Sequence, residues 1–157
     1  MDIRLRDLED ADFDQLFEWE QHPDAVAMAA FTRADAADRE AFDRHYARIR
    51  ADPETTLLAI EADGAFAGTI GSYTMDGDRE VTYWVDPSRW GRGIASTALR
   101  AFLSVELVRP LFARVAAHNL GSATVLERAG FERCGAETSF ADGLGREVVE
   151  HIYRLAP

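Results

Sequence analysis

Cysteine is almost absent from this sequence, with Cys134 the only one among 157 residues. A single cysteine cannot form an internal disulfide, so a disulfide-stapled scaffold is excluded and a reducing cytoplasm is favoured. No run approaches the roughly 20 apolar residues that a membrane-spanning helix needs, and the first residues lack the apolar core of a secretory signal. We therefore expect a cytoplasmic chain that begins at Met1 and has no membrane partner.

Positive charge is also scarce. Lysine and arginine together number 17 against 28 aspartates and glutamates, so the formal net charge is −11. Phosphate backbones repel a surface of this sign, which argues against a nucleic-acid partner. The charge could attract a cationic amine, although solubility alone is the simpler explanation. His22, His45 and His151 lack the spacing of metal ligands, so we expect no metal.

The hydrophobic pattern predicts short strands and helices in alternation, within one domain over residues 1–157. The predicted strands cover residues 2–6, 56–62, 66–75, 79–86, 111–117, 131–140 and 146–155. The predicted helices are one capped by Asp10 or Asp12 and ended by His22-Pro23, one over 35–51, one over 91–107, and a short one closing at Gly130. Turns containing Asp-Gly favour hairpins, and the later strand–helix–strand crossover requires parallel strands. The predicted class is therefore α/β with a mixed sheet.

The segment over residues 81–96 carries the clearest chemical signal. A predicted strand ends at Val85, and Gly91 and Gly93 then open the predicted helix. Glycine lets the backbone approach a bulky ligand, and the N–H groups at a helix N-terminus attract a pyrophosphate. Arg89 and Arg92 add positive charge beside them. A tight turn without a ligand is the simpler alternative, but two glycines in a first turn cost helix stability.

Two other nucleotide motifs fit this segment poorly. In the dinucleotide fingerprint, Ser96 would stand where the third glycine belongs, and the next predicted strand does not end on an acid for the ribose. A phosphate-binding loop of the nucleoside triphosphatase type needs Gly-Lys-Ser or Gly-Lys-Thr, and the sequence contains neither.

The segment Trp90-Gly-Arg-Gly-Ile-Ala95 resembles the acetyl-CoA pyrophosphate loop of the GNAT acetyltransferases. Downstream, Asn119-Leu-Gly-Ser122 and the Gly130-Phe131 pair resemble that family's second signature. The two segments have the order and spacing of the family, and the predicted elements match its fold over essentially the whole chain. The branch that contains the ribosomal-protein N-terminal acetyltransferases is the most similar.

The resemblance implies a central, mostly antiparallel sheet of six to seven strands, with about four helices on its two faces. It implies acetyl-CoA as cosubstrate, and transfer of the acetyl group to a primary amine by direct attack in a ternary complex. The acceptor is left open among a protein N-terminus, a small polyamine or antibiotic, and an amino-acid-like metabolite. A homodimer is also left open. The alternative function is a non-catalytic acyl-CoA-binding sensor or partner subunit.

The resemblance also assigns the cofactor-binding residues. The backbone of Tyr83, Trp84 and Val85 is expected to pair with the pantetheine arm, and the Val85 N–H to stabilise the oxyanion. The Tyr83 and Trp84 side chains are expected to pack in the core. Asn119 is expected to bond the cofactor arm, to cap the following helix, or to do both. The pyrophosphate is assigned to Trp90, Gly91, Arg92, Gly93, Ile94, Ala95 and Ser96. Trp90 departs from the usual Gln or Arg, but the family uses this position through its backbone.

The catalytic residues are less clear. Many relatives carry a tyrosine acid where this sequence has Leu126, so the resemblance transfers the role of assisting the leaving thiolate to Ser122. Glu80 is the first candidate base, acting directly or through water, because the amine must lose a proton before it attacks. A solvated charge at a strand end is its alternative. His118 is expected to be structural, and Cys134 to be a small buried hydrophobic residue.

Overall fold

The computed structural model describes residues 1–157 and contains one seven-stranded sheet with five α-helices. The strands are β1 (Ile3–Asp7), β2 (Thr56–Ala62), β3 (Ala65–Met75), β4 (Asp78–Val85), β5 (Leu111–Ala116), β6 (Glu132–Ala141) and β7 (Arg146–Leu155). The helices are α1 (Asp10–Glu20), α2 (Pro23–Ala29), α3 (Arg39–Ala51), α4 (Ile94–Phe102) and α5 (Leu120–Arg128).

The strand order is β1-β2-β3-β4-β5-β7-β6, and every neighbouring pair is antiparallel except β4 and β5. The predicted hairpins β2–β3, β3–β4 and β6–β7 are present, and the crossover through α4 joins the parallel pair. This confirms the predicted mixed and mostly antiparallel α/β sheet.

The helices occupy both faces of the sheet. On one face, Ile94, Leu99 and Phe102 of α4 pack with strand residues and with Leu126 of α5 in a cluster of 16 buried residues. On the other face, Phe13 and residues near it on α1 join α3 in a smaller aromatic cluster. Side chains alternate along a strand, so β4 contributes Val81, Tyr83 and Val85 to the first face and Glu80, Thr82 and Trp84 to the second.

Helix boundaries differ from the predictions in several places, three of which lie before β2. The α1 N-cap is Glu9, and Asp12 acts from inside the first turn by accepting the Glu9 N–H at 2.8 Å. His22-Pro23 does end α1, but Pro23 also begins α2, which the sequence pattern did not predict. Proline suits a first helical position because its missing N–H is not needed there. The helix predicted over 35–51 begins later, after the Asp38 cap.

The prediction that Cys134 is buried is wrong, because this cysteine is exposed. It lies on β6, which is an edge strand of the sheet. Ala141 is the only buried residue of that strand. None of the helices combines the length and the apolar character needed to cross a membrane.

Candidate active site

The sheet opens between β4 and β5. The two strands pair at one position, Glu80 with Phe112, near the start of β4. On its other side, β4 pairs with β3 along its whole length, from Asp78 to Val85. The second half of β4 therefore has a neighbour on one side and a gap on the other.

Backbone groups of β4 point into this gap. Consecutive residues on an antiparallel ladder direct their N–H and C=O groups alternately to opposite sides. The Asp86 N–H donates to the Ala67 carbonyl on β3. The N–H and C=O groups of the even-numbered residues of β4 therefore point toward β3. The N–H groups of Tyr83 and Val85 consequently face β5, beyond the last paired position. They form a free edge to which an extended ligand can add as a strand.

The glycine loop lies where this gap meets α4. Gly91 and Gly93 have φ angles of 78° and 79°, and a Cβ added at either would meet no other atom within 4 Å. Gly93 is the N-cap of α4. The Thr97 N–H donates to the Gly93 carbonyl, and this hydrogen bond closes the first turn of the helix. The N–H groups of the preceding first-turn residues have no intrahelical partner. Open space beside free donors fits a pyrophosphate.

Side chains around the loop have different surroundings. The Trp90 indole N–H donates to the Val85 carbonyl at 3.0 Å, which ties the loop to the end of β4. Arg89 lies 3.5 Å from Asp86, whereas Arg92 is exposed. Ile94 is 3% exposed and belongs to the core, so only its backbone can contact a ligand.

Asn119 and Ser122 lie at the start of α5. The Asn119 side-chain oxygen accepts the Ser122 N–H at 3.2 Å, so Asn119 caps the helix. That bond uses the oxygen of the amide and leaves its NH₂ group available. The Ser122 hydroxyl lies 2.7 Å from the Tyr83 hydroxyl. Leu126 is fully buried, as a core residue.

Glu80 is buried on the second face of the sheet, with 4% of its surface exposed. It is therefore not a solvated charge. Arg114 lies 3.5 Å from its carboxylate and also contacts Glu137 and Glu150. Burial raises the pKa of Glu80, the charge of Arg114 opposes this, and the charge of Glu150 adds to it. A raised carboxyl pKa makes the ionised carboxylate a stronger base than an ordinary glutamate.

Residues 2–132 match the family model described as the acetyltransferase (GNAT) domain. The matched segment contains the glycine loop, Asn119, Ser122 and Glu80. The chain belongs to the GNAT acetyltransferase family. It is therefore an N-acetyltransferase, as the sequence resemblance implied. No curated protein matches the sequence.

Solved structures share the fold of this GNAT enzyme at low sequence identity. A ribosomal-protein-alanine N-acetyltransferase from Brucella melitensis is 22% identical with a TM-score of 0.73, over 98% of this chain and 99% of that chain. A spermidine N-acetyltransferase from Vibrio cholerae, in complex with CoA and spermine, is 19% identical with a TM-score of 0.77, over 96% and 94%. An aminoglycoside acetyltransferase in complex with coenzyme A is 21% identical with a TM-score of 0.74, over 96% and 94%. These likenesses include the ribosomal-protein branch but do not single it out.

Three residues on the α1–α3 side of the second face, Trp19, Arg33 and Tyr46, are engaged in contacts within the protein. Trp19 is 8% exposed and stacks on Phe66 at 4.8 Å. Arg33 and Tyr46 both bond to the Glu20 carboxylate at 2.6 Å. They organise the α1–α3 side of the second face.

Two features of the site in this GNAT enzyme could not be predicted from the sequence. The Tyr83 ring packs against the core as expected, but the bond of its hydroxyl to Ser122 was not foreseen. The Arg114 group around Glu80 joins β4 to β5, β6 and β7, so no local pattern reveals it. The His118 ring nitrogen lies 2.6 Å from the Ala27 carbonyl oxygen.

Proposed function

We propose that this enzyme binds acetyl-CoA along the gap between β4 and β5 and transfers the acetyl group to a primary amine by direct attack in a ternary complex. One observation carries the proposal. The sheet opens after Glu80, and the free edge of β4 leads to a glycine loop at the N-terminus of α4. An extended arm that ends in a pyrophosphate matches both parts.

Different residues of this chain bind different parts of the cosubstrate. The Tyr83–Val85 backbone pairs with the pantetheine arm, and the loop from Trp90 to Ser96 holds the pyrophosphate through its N–H groups. The free NH₂ group of Asn119 bonds the arm. Acetyl-CoA supplies the acetyl group as a thioester, and the Val85 N–H polarises its carbonyl.

Glu80 is the proposed base, and it acts through water. Val85 lies five residues farther along β4, which at about 3.3 Å per residue is roughly 16 Å and too far for direct contact. The buried carboxylate of Glu80 can bind a chain of water molecules and take the proton that the ammonium loses. Ser122 is proposed to donate a hydrogen bond to the sulfur as the thiolate leaves.

The surroundings of Glu80 favour a cationic acceptor. Three carboxylates, those of Glu80, Glu137 and Glu150, surround one guanidinium, that of Arg114. This excess of negative charge attracts an amine that is protonated at neutral pH. Within that class, the resemblance to the ribosomal-protein branch favours a protein N-terminus, and the spermidine and aminoglycoside enzymes are precedents for small polyamines.

The experiment has two stages. Acetyl-CoA and CoA should raise the melting temperature, because a ligand at 100 times its Kd stabilises the fold by about 2.7 kcal/mol, whereas NAD and ATP should do little. Turnover is then measured with an alanine-first peptide, spermidine, an aminoglycoside and a free amino acid. Stabilisation by NAD without any by CoA would overturn the cosubstrate assignment. CoA binding without turnover of any amine would point to a sensor.

A further inference from the structure

The hydroxyl groups of Tyr83 and Ser122 form a pair across two elements that are distant in sequence. The Tyr83 hydroxyl lies 2.7 Å from Ser122 Oγ and 3.3 Å from the Ser122 carbonyl oxygen. Tyr83 lies on β4 beside the gap, and Ser122 lies in the first turn of α5. Ser122 Oγ has no other hydrogen-bond partner in the protein, so the Tyr83 hydroxyl alone orients the Ser122 hydroxyl.

The two hydroxyl protons of this pair can be arranged in two ways. In the closed arrangement, the tyrosine donates to the Ser122 carbonyl and the serine donates to the tyrosine. In the open arrangement, the tyrosine donates to Ser122 Oγ and the serine proton is free for a third group. The shorter of the two distances connects the hydroxyls, so both arrangements keep them bonded.

A purely structural role for the Ser122 hydroxyl has little support. The cap of α5 is supplied by Asn119, and Ser122 contributes only its N–H to that cap. The hydroxyl does not bond back to the preceding turn, as Thr124 does with the Leu120 carbonyl at 3.0 Å. Nothing in the packing of α5 therefore requires a hydroxyl at position 122.

We propose, on the basis of the function above, that Tyr83 is a positioning residue whose hydroxyl donates to Ser122 Oγ and leaves the serine proton free to face the leaving sulfur. When the carbon–sulfur bond breaks, its electron pair stays on sulfur as a thiolate. The Ser122 hydrogen bond stabilises that charge, and water later supplies the proton. Neither hydroxyl is deprotonated in this step.

The acidity of Tyr83 is consistent with this role. Burial raises the pKa of Tyr83 to about 12, although the bond to Ser122 opposes the shift. A thiol has a pKa of about 8.5, so the phenol keeps its proton while a thiolate is present. Tyr83 therefore remains a donor throughout the reaction.

The test measures the pKa of the CoA thiol when CoA is bound to the enzyme. The ultraviolet absorbance of the thiolate reports the titration. In Tyr83→Phe, we expect this pKa to rise by about half a unit to one unit, because a neutral hydrogen bond changes an equilibrium about three- to tenfold. Phe preserves the packing of the ring. Tyr153→Phe is the matched control, since Tyr153 is a buried tyrosine of the same core cluster whose hydroxyl interacts with Glu127 and not with Ser122, and it should leave the thiol pKa unchanged.

Kinetics provide the second measurement. Tyr83→Phe should lower kcat about three- to tenfold with little change in CoA affinity. In a Ser122→Ala background, the same change should cost nothing further, because Tyr83 acts through the serine. An unchanged thiol pKa in Tyr83→Phe, or losses that add in the double variant, would overturn the inference. Failure of the wild-type protein to bind CoA would instead refute the proposed function on which it rests.

Discussion

At the residue scale, Glu80 combines burial with proximity to other charges. Its pKa is raised first by burial, so the folded protein holds its proton more tightly than the unfolded chain does. The stability that this proton contributes is present at low pH and is lost as pH rises through the folded-state pKa. Ionised Glu80 therefore weakens the fold at neutral pH, which is typical of a residue kept for function.

We expect Glu80→Gln to lower kcat by roughly 100-fold, within the usual range for removal of a general base, without lowering the melting temperature at neutral pH. In the wild type, kcat/KM should fall as pH drops through the raised pKa of Glu80, because the base must be ionised. Steady-state kinetics and thermal unfolding check both points. Glu137→Gln is the control for kcat, because Glu137 also contacts Arg114 but its side chain is 55% exposed, so its loss should weaken the attraction of the amine and leave kcat unchanged. Full kcat in a folded Glu80→Gln protein would exclude Glu80 as the base.

Asn119 has two expected roles that two substitutions can separate. Ser keeps an oxygen that can cap α5 but removes the amide NH₂, whereas Ala removes both. We expect both variants to weaken CoA binding, measured by calorimetry. Only Asn119→Ala should also lose about 1 kcal/mol of unfolding free energy, the usual value of an N-cap. Unchanged CoA affinity in Asn119→Ser would show that Asn119 caps α5 and does not bind CoA.

At the scale of elements, α4 shows what a local pattern can predict. Its apolar spacing located the helix correctly, but the helix ends at Phe102 and not at 107. The Glu106 carboxylate bonds to Ser72, which is 34 residues away, and the Arg109 guanidinium donates to the Leu103 carbonyl. The chain turns to make these contacts, and helical periodicity contains no information about them.

The loop before α4 permits a matched test of the pyrophosphate assignment. Gly93→Ala should weaken CoA binding at least about tenfold, because a methyl group would enter the space where the backbone approaches the ligand. Gly64→Ala is the control, since Gly64 has a φ of 81° and the same open surroundings but lies in the β2–β3 turn. Both changes place alanine at positive φ and should cost similar stability. Equal CoA affinity in the two variants would mean that the phosphates lie elsewhere.

At the scale of the whole molecule, the sequence predicted the strands and the hairpins because turn chemistry and alternation are local. It did not predict contacts between elements that are distant in sequence. The Tyr83–Ser122 bond joins residues 39 positions apart, and the exposure of Cys134 depends on β6 lying at the sheet edge. Residue type alone favoured burial for that cysteine. The glycine loop before α4 was predicted from the sequence because its glycines and the helix start are close together in the chain.

A buried charged network holds the end of the sheet near the β3–β4 turn. The Glu106 carboxylate accepts bonds from Ser72 at 2.6 Å and Arg79 at 2.7 Å, and from the Val108 N–H at 3.1 Å. It joins β3, β4 and the segment after α4. Burial alone would raise the pKa of Glu106, but these hydrogen bonds outweigh it and lower the pKa. The stability that ionised Glu106 contributes is therefore present above the pKa of the unfolded chain and is lost as pH falls.

We expect Glu106→Gln to lower the unfolding free energy by about 1–3 kcal/mol at pH 7, because hydrogen bonds to charged groups are worth about that much. In a domain of this size, about 1 kcal/mol corresponds to roughly 2–4 °C in Tm. Denaturant unfolding at several pH values should show the difference from wild type shrinking below about pH 4, where the unfolded carboxylate is protonated. Asp14→Asn removes an ion pair whose aspartate side chain is 76% exposed, and it should change little at any pH. A loss in Glu106→Gln that stays constant down to acid pH would show that shape, and not the charge of Glu106, stabilises this end of the sheet.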